Sequence, residues 1–225
     1  INKLYKLVRN KTVRSKRKRV EKITGIRKGH LLDIGAGTGF FLNEMKKQGW
    51  GITGLEPDED AVKVALAEHG LALKGLGTLF GLPAEEYDAI TLWHVLEHVH
   101  DLKGYVSKFS ELLKPGGKLF IAVPNCRSYD AAVYGKHWAA YDVPRHLYHF
   151  TPSSMRRLMG DHGFRVRSVL PMWFDSYYVS LLSSRYKNGK PNWAGAFVIA
   201  TLSNLKALLN KEKCSSLIYV IEKDQ

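Results

Sequence analysis

A glycine-rich stretch between an apolar run and a helical pattern is the feature that most constrains how this chain folds. Residues 31–42 read LLDIGAGTGFFL, with an acid at Asp33 and glycines at positions 35, 37 and 39. Glycine adopts the backbone conformations of a tight turn at little cost and leaves no Cβ between the loop amides and a ligand. The amino terminus of the following helix places a partial positive charge at the same point. The stretch therefore predicts a strand, a loop that holds an anionic group, and a helix.

Apolar runs alternate with helical patterns after residue 28, which is typical of an α/β sheet with helices on both faces. We predict strands near residues 30–34, 51–56, 71–74, 87–93, 117–123, 164–170 and 216–221. We predict helices near residues 39–48, 58–69, 101–113 and 193–209. The break at residues 114–117, Lys-Pro-Gly-Gly, is explained by proline, which cannot continue a helix, and by glycines that permit a tight turn.

The spacing of the glycines separates two classes of nucleoside ligand. A dinucleotide site reads G-x-G-x-x-G, but Phe40 occupies the position of the third glycine. The row D-x-G-x-G-x-G, which begins at Asp33, resembles motif I of the class I S-adenosylmethionine-dependent methyltransferases. Glu56 ends the second strand, where it is ready to accept hydrogen bonds from both hydroxyls of a ribose. A glycine-rich turn in a flavodoxin-like fold that binds no nucleoside is the alternative.

This resemblance carries further expectations about the fold and the cofactor site. It implies a Rossmann-like, doubly wound sheet of seven strands, mostly parallel with an antiparallel last strand. It implies S-adenosylmethionine as the cofactor and S-adenosylhomocysteine as the product. The expected cofactor-binding residues are Asp33, Gly35, Ala36, Gly37, Gly39, Phe40, Glu56, Pro57, Thr78, Leu79, Trp93 and His94.

The segment Val95-Leu96-Glu97-His98-Val99 resembles the stretch after the fourth strand in methyltransferases of the ubiquinone-biosynthesis type and in bacterial small-molecule methyltransferases of types 11, 12 and 23. Position 94 then faces the methyl group of the cofactor. Some of those enzymes bind a divalent metal through E-x-x-E-H, and this chain has His94 in place of the first glutamate. We therefore expect no metal, although Glu97 and His98 are retained. Capping of the strand–helix connection is the alternative role of both residues.

The same letters also fit H-x-x-E-H, the inverted zinc-protease motif. That motif requires a helix throughout, whereas residues 88–93 read as a buried strand. A protease also leaves the glycine loop without a role, so this interpretation is not favoured.

Residues 125–162 are rich in loops, aromatics and histidines, and we interpret them as a lid over the substrate. Residues 142–150 resemble the D-x-P-R-H-L-x-x-F segment of many bacterial class I methyltransferases. If the acceptor is a hydroxyl, a base must remove its proton, and His94 and His146 are the first candidates. Arg145 offers a rigid donor fork for a carboxylate or phosphate. An Arg145–Asp142 pair that only folds the lid, with Thr151-Pro152 starting the next helix, is the alternative.

The first 28 residues are strongly basic. They hold twelve Lys or Arg against the single acid Glu21, which accounts for +11 of the net charge of +13. We predict a basic helical segment over residues 1–28 and a methyltransferase domain over residues 29–225. Leu4, Leu7 and Val20 are among the apolar points expected to dock the segment on the domain. A solvated helix, a membrane-surface contact and RNA binding are all open interpretations.

The two cysteines form no C-x-x-C pair, so neither a disulfide framework nor a thiol zinc site is expected. No apolar stretch reaches the roughly 18 residues needed to span a bilayer. We expect a cytoplasmic protein, monomeric or homodimeric, with peripheral membrane contact permitted by the basic segment and the apolar stripe of residues 193–209.

The predicted activity is transfer of a methyl group from S-adenosylmethionine to an oxygen of a small or lipid-linked acceptor. An RNA methyltransferase that uses the basic segment is the alternative within the enzymes. A nucleoside-binding sensor or assembly module without turnover is the alternative from another class. Nucleic acid is not the favoured partner, because no RNA-binding module accompanies the charge.

Overall fold

The computed structural model describes residues 2–224, with side chains from residue 8 onward. The side chains of Leu4 and Leu7, which were expected to dock the basic segment, lie outside the described residues. Residues 1 and 225, the outer ends of the two predicted domains, also lie outside them. The helices are α1 (Asn2–Thr24), α2 (Phe40–Lys47), α3 (Glu59–His69), α4 (Leu102–Leu112), α5 (Tyr129–Tyr134), α6 (Pro152–Gly160), α7 (Asp175–Asn188) and α8 (Trp193–Leu209). The strands are β1 (His30–Ile34), β2 (Gly51–Leu55), β3 (Tyr87–Trp93), β4 (Leu113–Pro124), β5 (Phe164–Pro171) and β6 (Ser216–Lys223).

Within residues 2–224, six strands form one sheet in the order β2-β1-β3-β4-β6-β5. β1 runs parallel to β2 and β3, whereas β5 and β6 are antiparallel. The predicted α/β, Rossmann-like class is therefore confirmed. The order reverses between β1 and β3, and open α/β sheets bind ligands beyond the carboxyl ends of their strands at such a point.

The predicted count of seven strands is wrong, because residues 71–74 form no strand. A single bridge joins Lys74 to Leu55. The Lys74 amide donates to the Gly54 carbonyl, and the Lys74 carbonyl accepts from the Glu56 amide. A turn of 3₁₀ helix begins at Leu76, so the extended segment ends before a second pair of residues can join the sheet.

The described chain divides into two compact units, which are residues 1–92 with 107–120, and residues 93–106 with 121–225. In the first unit, β1 and β3 are almost wholly buried. α1 docks on α2 in this unit, as expected, since Val20 is fully buried and Arg17 forms ion pairs with Glu21 and Glu44. The boundary at residue 28 and the lid at residues 125–162 stay predictions.

In the second unit, a buried carboxylate ties the aromatic-rich segment to the rest of the unit. Asp130 is fully buried and accepts hydrogen bonds from Trp138 Nε1 at 2.8 Å and from the hydroxyls of Ser203 and Ser215, each at 2.7 Å. These partners lie before α6, on α8 and next to β6. The segment is therefore anchored by hydrogen bonds from sequence-distant residues as well as by apolar packing.

The expected start of a helix at Thr151-Pro152 is confirmed. Thr151 caps α6 and exchanges hydrogen bonds with Ser154, and Pro152 occupies the first turn, where a missing N–H costs nothing. No helix within residues 2–224 has both the length and the apolar character needed to span a bilayer. The cytoplasmic location stays a prediction.

Candidate functional site

The glycine loop after β1 lies in the first unit and is built as the sequence predicts. Gly35, Gly37 and Gly39 all have positive φ, at 71°, 54° and 78°. The amides of Gly35 and Ala36 donate to the Leu55 carbonyl, which fixes the loop against β2. A Cβ added at Gly37 would meet no atom within 4 Å, so this position faces open space. The backbone at Gly37 is therefore open to a ligand, and we call the surface between this loop and Glu56 the cradle.

Glu56 holds the second wall of this cradle. Its side chain is nearly buried, and its Oε2 atom accepts from the Gly37 amide at 2.6 Å while Oε1 accepts from the Asp58 amide at 3.0 Å. A carboxylate offers about four lone-pair positions, so about two remain for other donors. The two hydroxyls of a ribose can each donate one hydrogen bond to these remaining positions.

Asp33 lies at the end of β1 with only 1% of its surface exposed, and its Oδ1 accepts from Thr91 Oγ1 at 2.6 Å. Burial raises the pKa of Asp33 to about 7, and the negative charge of Glu56 adds to this effect. The Thr91 hydrogen bond and the charge of Lys16 act in the opposite direction. A cationic group bound nearby would favour the ionised carboxylate, as the ammonium of an amino-acid tail does.

The start of α2 adds donors to the same loop. Gly39 is the N-cap of α2 and makes no side-chain cap hydrogen bond, so no side chain of the cap covers the first-turn amides. Together, the open cradle, the carboxylate of Glu56 and these amides fit a ligand that carries a carboxylate and a sugar diol.

The remaining predicted cofactor residues of the first unit occupy different environments. The Phe40 ring packs edge-on against His69, with ring centroids 4.5 Å apart, and lies 3.5 Å below Arg9 Cζ. Pro57 is exposed. Thr78 is exposed and donates its hydroxyl to the Gly75 carbonyl, whereas Leu79 is fully buried. Of the two residues expected beside adenine, Thr78 alone presents its side chain to solvent.

His94, in the second unit, holds two carboxylates. Its Nε2 lies 3.0 Å from Asp175 Oδ2, and its Nδ1 lies 3.4 Å from Glu97 Oε1. Burial lowers the pKa of His94, but the hydrogen bond that its ring donates to Asp175 and its interaction with the Glu97 carboxylate outweigh burial and raise the pKa to about 10. The ring is therefore an imidazolium at neutral pH. Its backbone has a φ of 59°, which is uncommon for a residue with a side chain.

His146 has the opposite character. Its Nδ1 lies 2.9 Å from the Ala140 carbonyl, which can only accept, so Nδ1 carries the proton and Nε2 keeps its lone pair. Burial lowers the pKa of His146, an effect that the Ala140 hydrogen bond opposes. Asp142 Oδ2 is 4.0 Å from Nε2, beyond hydrogen-bonding distance. His146 is thus a neutral histidine with one basic nitrogen available.

His146 and two neighbouring side chains form a group suited to a divalent cation. Glu97, His98 and His146 each place one ligand atom within 4.8 Å of the others. Both oxygens of the Glu97 carboxylate are buried without a hydrogen-bond partner among the described residues. His98 Nδ1 lies 3.0 Å from the Arg145 carbonyl, which leaves Nε2 free to bind a metal. The sequence pointed to Glu97 and His98 alone, because no motif spacing links them to His146.

A cavity of about 360 Å³ in the second unit brings these groups together. Its polar lining includes His94, Glu97, Asp142, Arg145, His146 and Asp175, and its apolar lining includes Tyr178, Val179, Leu182 and Tyr186. Arg145 is largely exposed and donates to Asp142 at 2.8 Å, so the Arg145–Asp142 pair that was the alternative to a ligand-binding role is present at the cavity. Asp175 was missed by the sequence analysis, since it belongs to a helix that no motif marked.

The strand order, the glycine loop after β1 and the acid after β2 are those of a Rossmann-like α/β protein. The chain belongs to the methyltransferase domain family, whose model matches residues 6–169. The predictions of a class I methyltransferase and of S-adenosylmethionine as its cofactor are thereby confirmed.

Known proteins agree with this assignment. The ubiquinone biosynthesis O-methyltransferase of Nitrosospira multiformis is 32% identical over an alignment of 158 residues, with 64% of this chain and 66% of that protein covered. The chain thus spans just under two thirds of that relative. A SAM-dependent methyltransferase from Archaeoglobus fulgidus has a TM-score of 0.64 at 21% identity, with 96% of this chain and 94% of that chain covered. Phosphoethanolamine N-methyltransferase 2 of Haemonchus contortus, in complex with S-adenosyl-L-methionine, has a TM-score of 0.61 at 15% identity, with coverages of 94% and 53%. The two solved structures show a shared fold.

Proposed function

We propose that the protein transfers a methyl group to an oxygen of a small or lipid-linked acceptor that binds in the cavity of the second unit. The observation that carries this proposal is the neutral His146, which lines the cavity and keeps a basic Nε2. A hydroxyl must lose its proton when it attacks a methyl group, so an oxygen acceptor needs such a base. The O-methyltransferase name of the relative from Nitrosospira multiformis points to the same chemistry.

The cofactor supplies the methyl group as a sulfonium when it is bound. We assign its carboxylate to the first-turn amides of α2, and its ribose hydroxyls to Glu56. We assign Asp33 to the ammonium group, because its carboxylate comes two residues before the glycine loop and offers the opposite charge. Trp93 is the last residue of β3 and His94 follows it, and these two complete the predicted cofactor residues.

His146 and His94 take different roles in this proposal. His146 Nε2 accepts the proton of the acceptor hydroxyl, a contribution of about 10² to 10⁴ in rate for a placed base. His94 cannot act as the base, because each of its ring nitrogens faces a carboxylate and its pKa is about 10. Its positive charge instead favours the negative charge that develops on the acceptor oxygen. Asp175 is a positioning residue that keeps His94 protonated.

A divalent cation is the second use of the same residues. It is favoured by the buried Glu97 carboxylate, whose oxygens accept no hydrogen bond among the described residues and whose ion pair with His94 spans 3.4 Å. Glu97, His98 and His146 would hold the ion, and their mixed oxygen and nitrogen donors suit Zn²⁺ or Mn²⁺. Bound there, a cation supplies Lewis acidity that lowers the pKa of an acceptor hydroxyl. The ion would engage His146 Nε2, so base and ligand roles exclude one another and can be separated by experiment.

A small or lipid-linked acceptor is favoured over RNA because part of the basic segment is already occupied. Arg17 pairs with Glu21 and Glu44, and Arg9 lies over the Phe40 ring. These contacts hold arginines against the first unit instead of leaving them to follow a phosphate backbone.

The test measures transfer of an isotope-labelled methyl group from S-adenosylmethionine to phenols with and without an isoprenoid tail, and to RNA transcripts. We expect label on a phenol, and His146→Gln is expected to lower kcat about 100-fold or more with cofactor affinity retained. His162→Gln is the matched control, since His162 Nδ1 also lies against a backbone carbonyl, that of Leu158 on α6. Activity that chelators abolish and Mn²⁺ restores would assign His146 to the metal. Label found in RNA alone would contradict the proposal.

A further inference from the structure

The outward face of α8 is unusual because its large apolar side chains are exposed to solvent. Trp193, Phe197, Val198, Leu202, Leu205, Leu208 and Leu209 are between 40% and 93% exposed. At about 100° per residue, these positions share one half of the helix. A face of this kind on a protein surface marks an interaction site.

The inward face of α8 is made of small residues. Ala196, Ala200, Ser203 and Ala207 are buried, and they recur at spacings of three and four residues. Ser203 donates to Asp130, and Asn204 donates to the Trp173 carbonyl next to α7. α8 is therefore fixed to its unit by its small face, and its large apolar residues contribute little to that docking.

The surroundings of this face are cationic. Residues 176–211 contain no Asp or Glu. They contain five exposed cations, which are Arg185, Lys187, Lys190, Lys206 and Lys211. Lys206 Nζ lies 4.2 Å from the centroid of the Tyr129 ring, which leaves the other four as the cationic border. An apolar face with a cationic border complements a surface in which negatively charged groups cover an apolar layer.

We propose that the outward face of α8, bordered by these cations, docks on the surface of an anionic lipid bilayer. The helix has 17 residues and a length of about 25 Å, which is less than the roughly 30 Å of a bilayer core. It therefore lies in the interface and does not cross it. Trp193 is 69% exposed at the first position of α8, and tryptophan favours the boundary between headgroups and acyl chains.

A second copy of this chain fits the same face less well. A two-fold interface places each patch against itself, so the cations of one copy would meet those of the other. No acid within residues 176–211 compensates that repulsion. An anionic membrane supplies the missing negative charge.

The inference rests on α8 and its border and is independent of the proposed acceptor. Its test is flotation of the full chain with vesicles of phosphatidylcholine alone and of phosphatidylcholine mixed with an equal amount of phosphatidylglycerol. We expect binding to the mixed vesicles. Exchange of Leu205, Leu208 and Leu209 for glutamine is expected to reduce the partition coefficient about tenfold or more. Leu66→Gln, at an exposed leucine of α3, is the matched control and is expected to bind as the wild type.

The cationic border is tested by Lys187→Gln together with Lys190→Gln. Each removed lysine is expected to weaken binding to the anionic vesicles by about fivefold, and added salt is expected to weaken it further. Lys46→Gln together with Lys47→Gln, at exposed lysines of α2, is the matched control. Cofactor affinity and thermal melting of every variant show whether it is folded.

A third measurement leaves the apolar face intact. Brominated phosphatidylcholine in the vesicles is expected to quench tryptophan fluorescence, and Trp193→Phe is expected to remove most of that quenching. Equal vesicle binding by the leucine variants and the wild type would overturn the proposal and assign any binding to the basic segment. Conversion of a dimer to a monomer by the leucine variants, with vesicle binding unchanged, would also overturn it and identify a dimer interface.

Discussion

The Nε2 atom of His94 and the Oδ2 atom of Asp175 lie 3.0 Å apart, although the two residues are 81 positions apart in the sequence. Glu97 Oε1 lies 3.4 Å from the other ring nitrogen. This arrangement keeps His94 protonated, so in the proposed reaction the role of general base passes from His94 to His146. His146 remains as the histidine with a free basic nitrogen.

Asp175→Asn is expected to change the pH dependence of the reaction. With Asp175 present, the pKa of His94 is about 10, so its charge persists through neutral pH. The variant loses the stronger of the two acceptors, and the pKa falls toward the ordinary value of 6.5. Activity of the variant should therefore decline at a lower pH than activity of the wild type. Profiles of kcat against pH measure this shift, with Asp161→Asn, at an exposed acid, as the control.

The same pair makes a prediction for stability. Because the folded pKa of His94 lies above its unfolded value, the stabilisation is fully present below about pH 6.5 and is lost as the pH rises through about 10. The difference in melting temperature between the wild type and Asp175→Asn should shrink across this range. A difference that is constant with pH would contradict the charge assigned to His94.

In the cofactor-free protein, Asp33→Asn is expected to raise the free energy of unfolding at alkaline pH. Burial raises the pKa of Asp33 from 3.8 to about 7, so the folded state holds a proton that the unfolded chain has lost in this window. Stability therefore falls as the pH rises from about 4 to about 7, and the loss persists above pH 7. The variant avoids this loss, by an amount on the order of 1 kcal/mol or more. Urea unfolding at pH 5 and pH 8 measures it, and cofactor affinity should fall in the same variant.

Glu56→Gln tests the diol site. The amide side chain keeps an acceptor for the Gly37 amide but loses the negative charge that strengthens hydrogen bonds to a ribose. We expect cofactor affinity to fall about tenfold to 100-fold, which corresponds to about 1.5–3 kcal/mol for a bond to a charged group. Calorimetric titration measures the change. Glu59→Gln, at an exposed position of α3, is the control, and equal affinities in both variants would remove Glu56 from the site.

Asp130→Asn tests the anchor of the aromatic-rich segment. The carboxylate accepts from Trp138, Ser203 and Ser215, and an amide nitrogen in its place would face at least one of these donors. We expect a loss of about 1–3 kcal/mol in the free energy of unfolding. Chemical denaturation measures it, and an unchanged midpoint would show that the three hydrogen bonds contribute nothing net.

The local features of the molecule were predictable from the sequence, and the contacts between distant segments were not. The strand, glycine loop and helix at residues 30–47 follow from glycine conformation and periodicity within one short stretch. Residues 71–74 form no strand because a 3₁₀ turn begins at Leu76, shortly after the single bridge at Lys74. The apolar residues of this segment do not reveal where that turn begins. Thr151-Pro152 predicted the start of α6, because capping is decided by adjacent residues.

The chemistry of the cavity required the folded chain. Histidine type and spacing suggested His94 and His146 equally. Their different charges arise from Asp175 and Glu97 in one case and from the Ala140 carbonyl in the other. The contact between His94 and Asp175 joins residues 81 positions apart, and it forms only in the folded chain. No sequence motif therefore distinguishes the charged His94 from the neutral His146.

The most direct test of the account is calorimetric titration of S-adenosylhomocysteine into the wild type, Gly37→Ala and Gly70→Ala. Gly37 and Gly70 have φ values of 54° and 61°, and an added Cβ meets no protein atom within 4 Å at either position. Both variants therefore carry a similar backbone strain, of about 1 kcal/mol, but only Gly37 lies in the cradle. We predict one bound ligand for the wild type and Gly70→Ala, with affinity lost or strongly reduced in Gly37→Ala. No binding by the wild type, or equal binding by all three proteins, would contradict the assignment of the cofactor to this loop.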